Sequence, residues 1–308
     1  MPKKNTPYLT VIICTYNTKA ITLKCLNKLK TSITFLAKPV ETIVIENGTD
    51  GTGEILNKNY PWIKVITPAE NTGFAIGNNL GIKASDKNTK YYLFLNSDVL
   101  IKRETLRQSV DFIEQHNACD ALGCTLTLGN GKLQMSAGFF PTPTSVFTWI
   151  MGIDLLPVIN RFLKSFHQRN ISFFKDAKQV DWVMGAYLFM KKEVVEKTKG
   201  LDENFFMYTE EVEWCKRIKD AGYAIWYTPG FKVTHLDKAS SKTNPEKYRK
   251  IAYKEIIGVI YFLKKYYPKT IHWTLTIIKI GLCLRIAAFF MLGNTPRRLT
   301  YQEVLKAI

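Results

Sequence analysis

The sequence predicts an α/β fold built on a doubly wound, mostly parallel sheet, with a basic, apolar helical appendage behind it. Three observations carry this expectation. Short apolar runs of strand length alternate with segments of helical period through residues 1–118. One of these runs, Tyr91-Tyr92-Leu93-Phe94-Leu95, is five large apolar residues in a row, too short for a helix and suited to a strand covered on both faces. The last quarter differs from the rest: residues 231–308 hold 15 Lys and Arg against 4 acids, out of a whole-chain net charge of +17.

The elements follow in order. Tyr8 to Thr15 is β-branched and apolar, a central strand that ends in Thr15-Tyr16-Asn17. Leu23, Leu26, Leu29 and Ile33 recur at helical spacing and predict a helix running to Leu36. Glu41 to Glu46 is the second strand, closed by the polar turn Asn47-Gly48-Thr49-Asp50, and Ile63 to Thr67 is the third. Next comes Asn71-Thr72-Gly73-Phe74-Ala75-Ile76-Gly77-Asn78-Asn79-Leu80-Gly81, opening a helix whose glycines either serve a ligand or let the helix lie close to the sheet. The strand 91–95 and a helix from Arg103 to His116 complete this half.

The second half is less regular. Ala121 to Leu128 predicts a strand with a hairpin turn at Gly129–Lys132, and 138–176 is aromatic-rich with no clean period. Asp181 to Met190 reads as one strand, Glu210 to Gly222 as a helix, and Ala224 to Tyr227 as a short strand leading to His235.

Composition narrows the classes. With 46% apolar residues the chain can bury a large core. Met1 to Thr6 is polar, so no leader peptide is expected. Six scattered cysteines form no CxxC pair, which argues for reduced thiols and against zinc. The position after the first strand lacks the GxGxxG of a dinucleotide fold, and no Walker sequence is present. Without a nucleic-acid-binding motif, the C-terminal cations point to anionic lipid, and no nucleic acid partner is expected.

The central strand breaks into Asn96-Ser97-Asp98, where an open α/β sheet binds its ligands. Asp98 there is either a turn-former or an oxygen ligand for a divalent cation beside a phosphate.

Taken in order, Thr-Tyr-Asn (15–17), Glu-Asn-Gly-Thr-Asp (46–50), the Asn71–Gly81 stretch, Leu-Asn-Ser-Asp (95–98), Trp182-Val-x-Gly185-Ala186, Phe205-Phe206-Met-Tyr-x-Glu210-Glu211-x-Glu213-Trp-Cys-x-Arg217 and a final His235 resemble the family-two inverting glycosyltransferases of GT-A fold, rhamnosyltransferase-like branch. The similarity spans Tyr8 to His235.

It implies transfer of a sugar, with inversion, from a nucleotide diphosphate donor to a hydroxyl of a lipid-linked or other glycan acceptor. By that resemblance Thr15, Tyr16, Asn17, Glu46, Asp50, Asn71, Gly73, Asn78, Asn96, Ser97 and Asp98 would line the nucleotide-sugar pocket. Asp98 and His235 would hold Mg²⁺ or Mn²⁺, and Trp182, Gly185, Ala186 and Glu210 would face the acceptor. Glu211 would be the base, with Glu210 as the fallback if the register is off by one; a plain helix-capping pair is the alternative. This sequence departs from the family pattern in having Glu at 46 and 211, where Asp is usual, and Asn at 96 in place of the first acid of Asp-x-Asp.

L-rhamnose from dTDP-rhamnose is the first expectation for the donor, with galactofuranose, mannose or N-acetylglucosamine derivatives as alternatives. The rival from another class is an inactive relative that acts as a membrane-bound partner in polysaccharide assembly. The expected organisation is a catalytic domain over 1–240, divided into a nucleotide-sugar half (1–118) and an acceptor and catalytic half (119–240), followed by the helical appendage 241–308. In the appendage, Ile271 to Leu292 is long enough to span a bilayer but carries Lys279 and Arg285 near its middle. Lying in the interface on the cytoplasmic face is expected over spanning, and packing on the domain or on a second copy is the soluble alternative.

Overall fold

The computed structural model describes residues 6–156, 164–205, 207–236 and 245–308; Phe206 of the expected motif lies outside them. Strands β1 (Leu9–Thr15), β2 (Val40–Glu46), β3 (Ile63–Ile66) and β4 (Tyr91–Leu95) are parallel and alternate with helices α1 (Lys19–Leu36), α2 (Thr52–Asn59) and α3 (Gly73–Ala84). After β4 come the short β5 (Val99–Leu100), α4 (Thr105–Gln115), β6 (Ala121–Leu128), β7 (Leu133–Gln134), β8 (Ala137–Gly138) and α5 (Pro143–Ile150). The chain continues through β9 (Lys178–Gln179), β10 (Trp182–Val183), β11 (Tyr187–Lys191), α6 (Lys192–Thr198), α7 (Glu210–Asp220) and β12 (Ile225–His235). It closes with α8 (Pro245–Tyr266), α9 (Ile271–Met291) and α10 (Thr295–Ala307).

The main sheet runs β3-β2-β1-β4-β11-β6-β12-β5. All five residues of β4 are buried, as a central strand requires. Strand order reverses between β1 and β4, so the crevice beyond their carboxyl ends is where a ligand belongs. Alternation along β1 divides the core: Leu9, Val11 and Ile13 face α1 and α4, while Ile12 faces the side that holds α3 and α7.

Two strand expectations change. Asp181 to Met190 is two strands, because Trp182 and Val183 leave the main sheet to pair with β8, and 184–186 turn between them. The short strand at Ala224–Tyr227 is the start of an eleven-residue strand that keeps pairing with β6 across a bulge between Thr228 and Lys232. Pro229 and Gly230 sit in that bulge, where no ladder donor is demanded of them. The extension carries His235 alongside Val99 of β5.

The C-terminal helices share the core of the sheet. Ile256, Val259, Ile260, Phe262 and Leu263 of α8, with Ile278 and Leu282 of α9, belong to the same buried cluster as Phe94, Leu188 and Trp214. Among the described residues α9 is the one helix long and apolar enough to cross a membrane. One face of it is nevertheless docked: Gly281 lies against Ile150, and Arg285 donates to Ile150 O (2.6 Å), Trp149 O (2.6 Å) and Tyr301 Oη (2.8 Å). The guanidinium in the middle of an apolar run is thus taken up by carbonyls at the end of α5.

Candidate active site

Three strand ends meet at the crevice. At the end of β1, the Thr15 hydroxyl is buried and bonded to Thr22 (2.8 Å) and Thr18 (3.0 Å), so it fixes the entry to α1. Tyr16 projects outward, 54% exposed, as an open ring face. Asn17 takes a left-handed conformation (φ 51°) and accepts the Thr49 N–H at 2.8 Å, tying the ends of β1 and β2 together. A side chain at Gly48 would collide with Asn17 and Glu46, so only glycine fits that turn.

Glu46 is buried at the end of β2. Its Oε1 accepts the Gly48 N–H (2.9 Å), while Oε2 is buried with no hydrogen-bond partner. Burial pushes its proton affinity up, against the Gly48 hydrogen bond. An unpaired carboxylate oxygen here is suited to receive a donor from a ligand, because leaving it orphaned is costly. Asp50 differs: one oxygen accepts the Lys19 N–H (2.8 Å) and the other the Thr52 hydroxyl (2.6 Å), which joins the starts of α1 and α2. Burial alone would raise its proton affinity, but those hydrogen bonds outweigh it and hold the group below the usual carboxylate range.

The loop into α3 is held locally. Asn71 accepts the Gly73 N–H (2.9 Å), Gly73 has φ +73°, and Asn78 is buried and donates to Phe74 O (2.9 Å). Gly77 and Gly81 bring α3 down onto Cys14 and Ile12, the packing use of these glycines.

At the end of β4, Asn96 is pinned by its N–H to Ala186 O (3.1 Å), and its side-chain oxygen is buried without a partner. Ser97 lies 3.4 Å from Thr18. Asp98 Oδ1 is 3.1 Å from Nε2 of His235, carried there by the pairing of β12 with β5. The other ring nitrogen, Nδ1, meets Gln134 Oε1 at 3.0 Å, and the Gln134 amide nitrogen faces Met184 Sδ at 3.1 Å. With a cation bound, Nδ1–H would donate to Gln134 and the Nε2 lone pair would face the ion beside the Asp98 carboxylate. Two donors each about 2.1 Å from one cation, at right angles, lie about 3.0 Å apart. The spacing of Asp98 and His235 therefore fits adjacent ligands of one divalent ion. Among the described residues no group of three or more His, Cys, Asp or Glu converges, so a cation here keeps most of its positions for phosphate and water oxygens.

The two glutamates open α7. Tyr208 and Thr209 before them both have positive φ (73° and 75°), a strained pair for residues with side chains. Glu210 is buried, and burial first, then the neighbouring Glu211, raise its proton affinity well above the usual range; Lys254 of α8 opposes this weakly. Glu211 is half-buried on the other flank. A side chain at Gly185 would stand 3.3 Å from Glu211 Cβ and 3.5 Å from the Phe74 ring, so Gly185 keeps the space between Glu211 and the α3 loop open. Ala186 is buried beside it. Trp182 is buried too, with its indole N–H given to Phe139 O (2.9 Å), which places it in the core under the cleft.

Four supporting residues had no role assigned to them from the sequence. Gln134 orients His235 from a hairpin 101 residues away, with no motif to mark it. Asn47 accepts from Thr72 Oγ1 (2.8 Å) and donates to Gly73 O (3.1 Å), holding the α3 loop to β2. Asn79 grips Leu201 through both backbone groups. Glu213, fully buried, gathers Arg217 Nε (2.9 Å), Lys265 Nζ (2.7 Å) and Tyr266 Oη (2.8 Å), fastening α7 to α8. Its position three residues after Glu210 was visible, but its partners on α8 were not.

The sheet order and its flanking helices define the class, the GT-A fold of glycosyltransferases. The chain belongs to glycosyl transferase family 2, whose sequence profile matches residues 10–168. It is 25% identical over 220 residues to N-acetylglucosaminyl-diphospho-decaprenol L-rhamnosyltransferase of Mycobacterium tuberculosis, covering 68% of this chain and 70% of the relative. It is 24% identical over 170 residues to rhamnosyltransferase WbbL of Escherichia coli, covering 53% of this chain and 60% of that one. Among solved structures, mannosyltransferase PcManGT from Pyrobaculum calidifontis, in complex with GDP-Man and Mn²⁺, superposes with a TM-score of 0.56 at 16% identity, over 98% of this chain and 85% of that one.

Proposed function

We propose that this glycosyltransferase moves L-rhamnose, with inversion, from dTDP-rhamnose to a hydroxyl of a lipid-linked glycan. The observation that carries the donor half of the reading is the Asp98–His235 pair, 3.1 Å apart at the strand-order reversal and oriented by Gln134. A Mg²⁺ or Mn²⁺ ion held there would neutralise charge on the departing diphosphate. Glu46, with its orphan oxygen, receives a donor from the nucleobase, and Tyr16 offers a ring face. Glu211 accepts the proton of the acceptor hydroxyl as that oxygen attacks the anomeric carbon from the side opposite the diphosphate. Glu210, buried where Glu211 is partly exposed, supports the turn without taking that proton. The rhamnosyl and lipid-linked assignments are supported by the names of the two relatives.

Contact with an anionic membrane surface belongs to the same reading. Trp273, Ile277, Ile280, Leu284 and Met291 recur along the outward face of α9, and Trp273 and Met291 are 77% and 80% exposed. Docked on one side through Arg285, α9 lies along the surface with that stripe in the interface. The test is to incubate the protein with dTDP-rhamnose and a polyprenyl-diphosphate N-acetylglucosamine acceptor, with and without Mn²⁺, and determine the product's anomeric configuration. Metal-dependent transfer with an inverted linkage is expected. Transfer from another sugar nucleotide alone, or retention of configuration, would overturn the donor or the mechanism respectively.

A further inference from the structure

We propose that the trough between α9 and α10 holds one anionic phospholipid of the membrane surface. This rests on the reading that the protein works at a membrane. The trough has a volume of about 660 Å³; its apolar walls are Ile286, Ala287 and Phe290 of α9 and Leu305 of α10, with Arg298 and Lys306 as its cations. Eight residues separate the two cations, so they stand about 12 Å apart along α10.

The Arg298 guanidinium lies over the Phe290 ring, 5.5 Å from its centroid, and its Nε is buried without a hydrogen bond. A planar fork with a buried, unsatisfied donor beside an apolar floor is suited to a phosphate oxygen. No carboxylate competes for it: Glu303, the one acid of α10, reaches Arg249 at 3.5 Å instead. Among the described residues neither Arg298 nor Lys306 has an ion-pair partner.

The floor decides the class of ligand. A nucleic acid would need cations tracking a backbone, with aromatic faces for its bases. Here the cations are two, the one aromatic ring, Phe290, is covered by Arg298, and Gln302 is the one uncharged polar side chain among otherwise apolar walls. An amphiphile matches both parts, its acyl chain along Ile286, Ala287 and Leu305 and its phosphate at Arg298. The trough is also continuous with the exposed stripe of α9, since Cys283 and Leu284, or Phe290 and Met291, face the two surfaces in turn. A lipid drawn from the outer layer of headgroups would enter sideways.

The experiment uses the full chain and short-chain phosphatidylglycerol below its micelle concentration, followed by calorimetry. Saturable binding of one lipid per protein is expected, with phosphatidylcholine of the same chain length bound more weakly. Arg298→Gln should weaken it by about 10–100-fold, the range of one charge-assisted hydrogen bond. Ala287→Phe, which fills the trough and leaves the charge unchanged, should weaken it comparably, and Lys279→Gln, outside the trough, should leave it unchanged. Absence of saturable binding, insensitivity to both trough variants, or preference for a short polyprenyl diphosphate would each overturn the proposal. Vesicle sedimentation tests the underlying reading separately. A protein that fails to sediment with phosphatidylglycerol vesicles refutes membrane contact, whatever the calorimetry gives.

Discussion

Gly258 lies in the middle of α8, yet it faces the segment that introduces the two glutamates. A side-chain carbon there would stand 2.7 Å from Thr209 Oγ1 and 2.9 Å from Tyr208 O. Alanine is worth about 0.8–1.0 kcal/mol over glycine in a helix interior, so a free surface would make Gly258→Ala stabilising. Here the new carbon must reach ordinary contact at about 3.5 Å, which parts α8 from the loop by about 0.8 Å. Overpacking of this size costs about 1–3 kcal/mol, leaving a net loss of about 0–2 kcal/mol and a fall of a few degrees in Tm.

The functional effect should be larger than the thermal one. If the loop takes half the displacement, Glu211 moves by about 0.4 Å, and since a misplacement of about 1 Å can cost 10²-fold, kcat should fall roughly 10-fold. Donor binding should not change, because Asp98, just before β5, and His235, at the end of β12, belong to the sheet and not to α8. The assay is steady-state transfer with donor and acceptor varied separately, beside calorimetric melting. A Gly258→Ala protein with full kcat and a raised Tm would refute the claim that α8 bears on the catalytic turn.

Four further outcomes follow from the same contacts. Asp98→Asn should abolish the metal-dependent part of nucleoside-diphosphate binding, measured by calorimetry with and without Mn²⁺, while the fold survives. Glu211→Gln should lower transfer by about 10²–10⁴-fold with donor affinity kept, whereas Glu210→Gln, replacing a group favoured in its neutral form, should stay within a few-fold; the reverse pattern would make Glu210 the base. Glu213→Leu leaves Arg217 with the Thr198 and Gly200 carbonyls and Lys265 with Asp202, and should cost about 1–3 kcal/mol in urea unfolding, with Tyr266→Phe costing about 1 kcal/mol. Glu210 also sets a pH trend. Its proton affinity is raised in the folded state, by burial first and Glu211 second, with Lys254 opposing. Its contribution to stability is therefore full below the unfolded carboxylate pKa of about 4.3 and is lost as pH rises through the higher folded value. The urea midpoint of Glu210→Gln should gain on the parent over that rise; a constant difference would show that Glu210 titrates normally.

Much of the sheet was legible because burial on both faces leaves a plain signature: β1 and β4 are nearly unbroken apolar runs, and β2 holds the run Ile43-Val44-Ile45. The strand ends were legible for the opposite reason, since short polar residues interrupt those runs where the crevice forms. What each polar residue does there was not. Asp50 and Glu46 are both acids at the end of β2, but Asp50 spends its oxygens on the starts of two helices while Glu46 keeps one unpaired. Only three-dimensional hydrogen-bond partners separate a cap from a ligand group. The same holds for His235, whose orientation depends on Gln134 and on a bulge that lets β12 run on past Pro229.

The last quarter was ambiguous for a deeper reason. Burial in a protein core and burial in a bilayer select the same side chains, so composition cannot distinguish them along α8 and α9. The structure divides the two helices differently. On α8 the apolar residues turn inward, and Glu213 with Lys265 and Tyr266 ties the helix to α7. Cutting the chain at 245 would uncover the core face that Ile256, Val259, Ile260, Phe262 and Leu263 cover and take Lys265 and Tyr266 from Glu213, so a truncated protein is expected to aggregate and not to be released as a soluble enzyme. On α9 Thr274, Ile278, Gly281, Leu282 and Arg285 face inward while Trp273, Ile280, Leu284 and Met291 stay exposed. A helix held by three guanidinium hydrogen bonds on one side cannot enter a bilayer without breaking them, and an exposed stripe on its other side has no use in water. Partial insertion along the surface, as proposed above, would satisfy both faces and would set which side of the domain looks at the membrane.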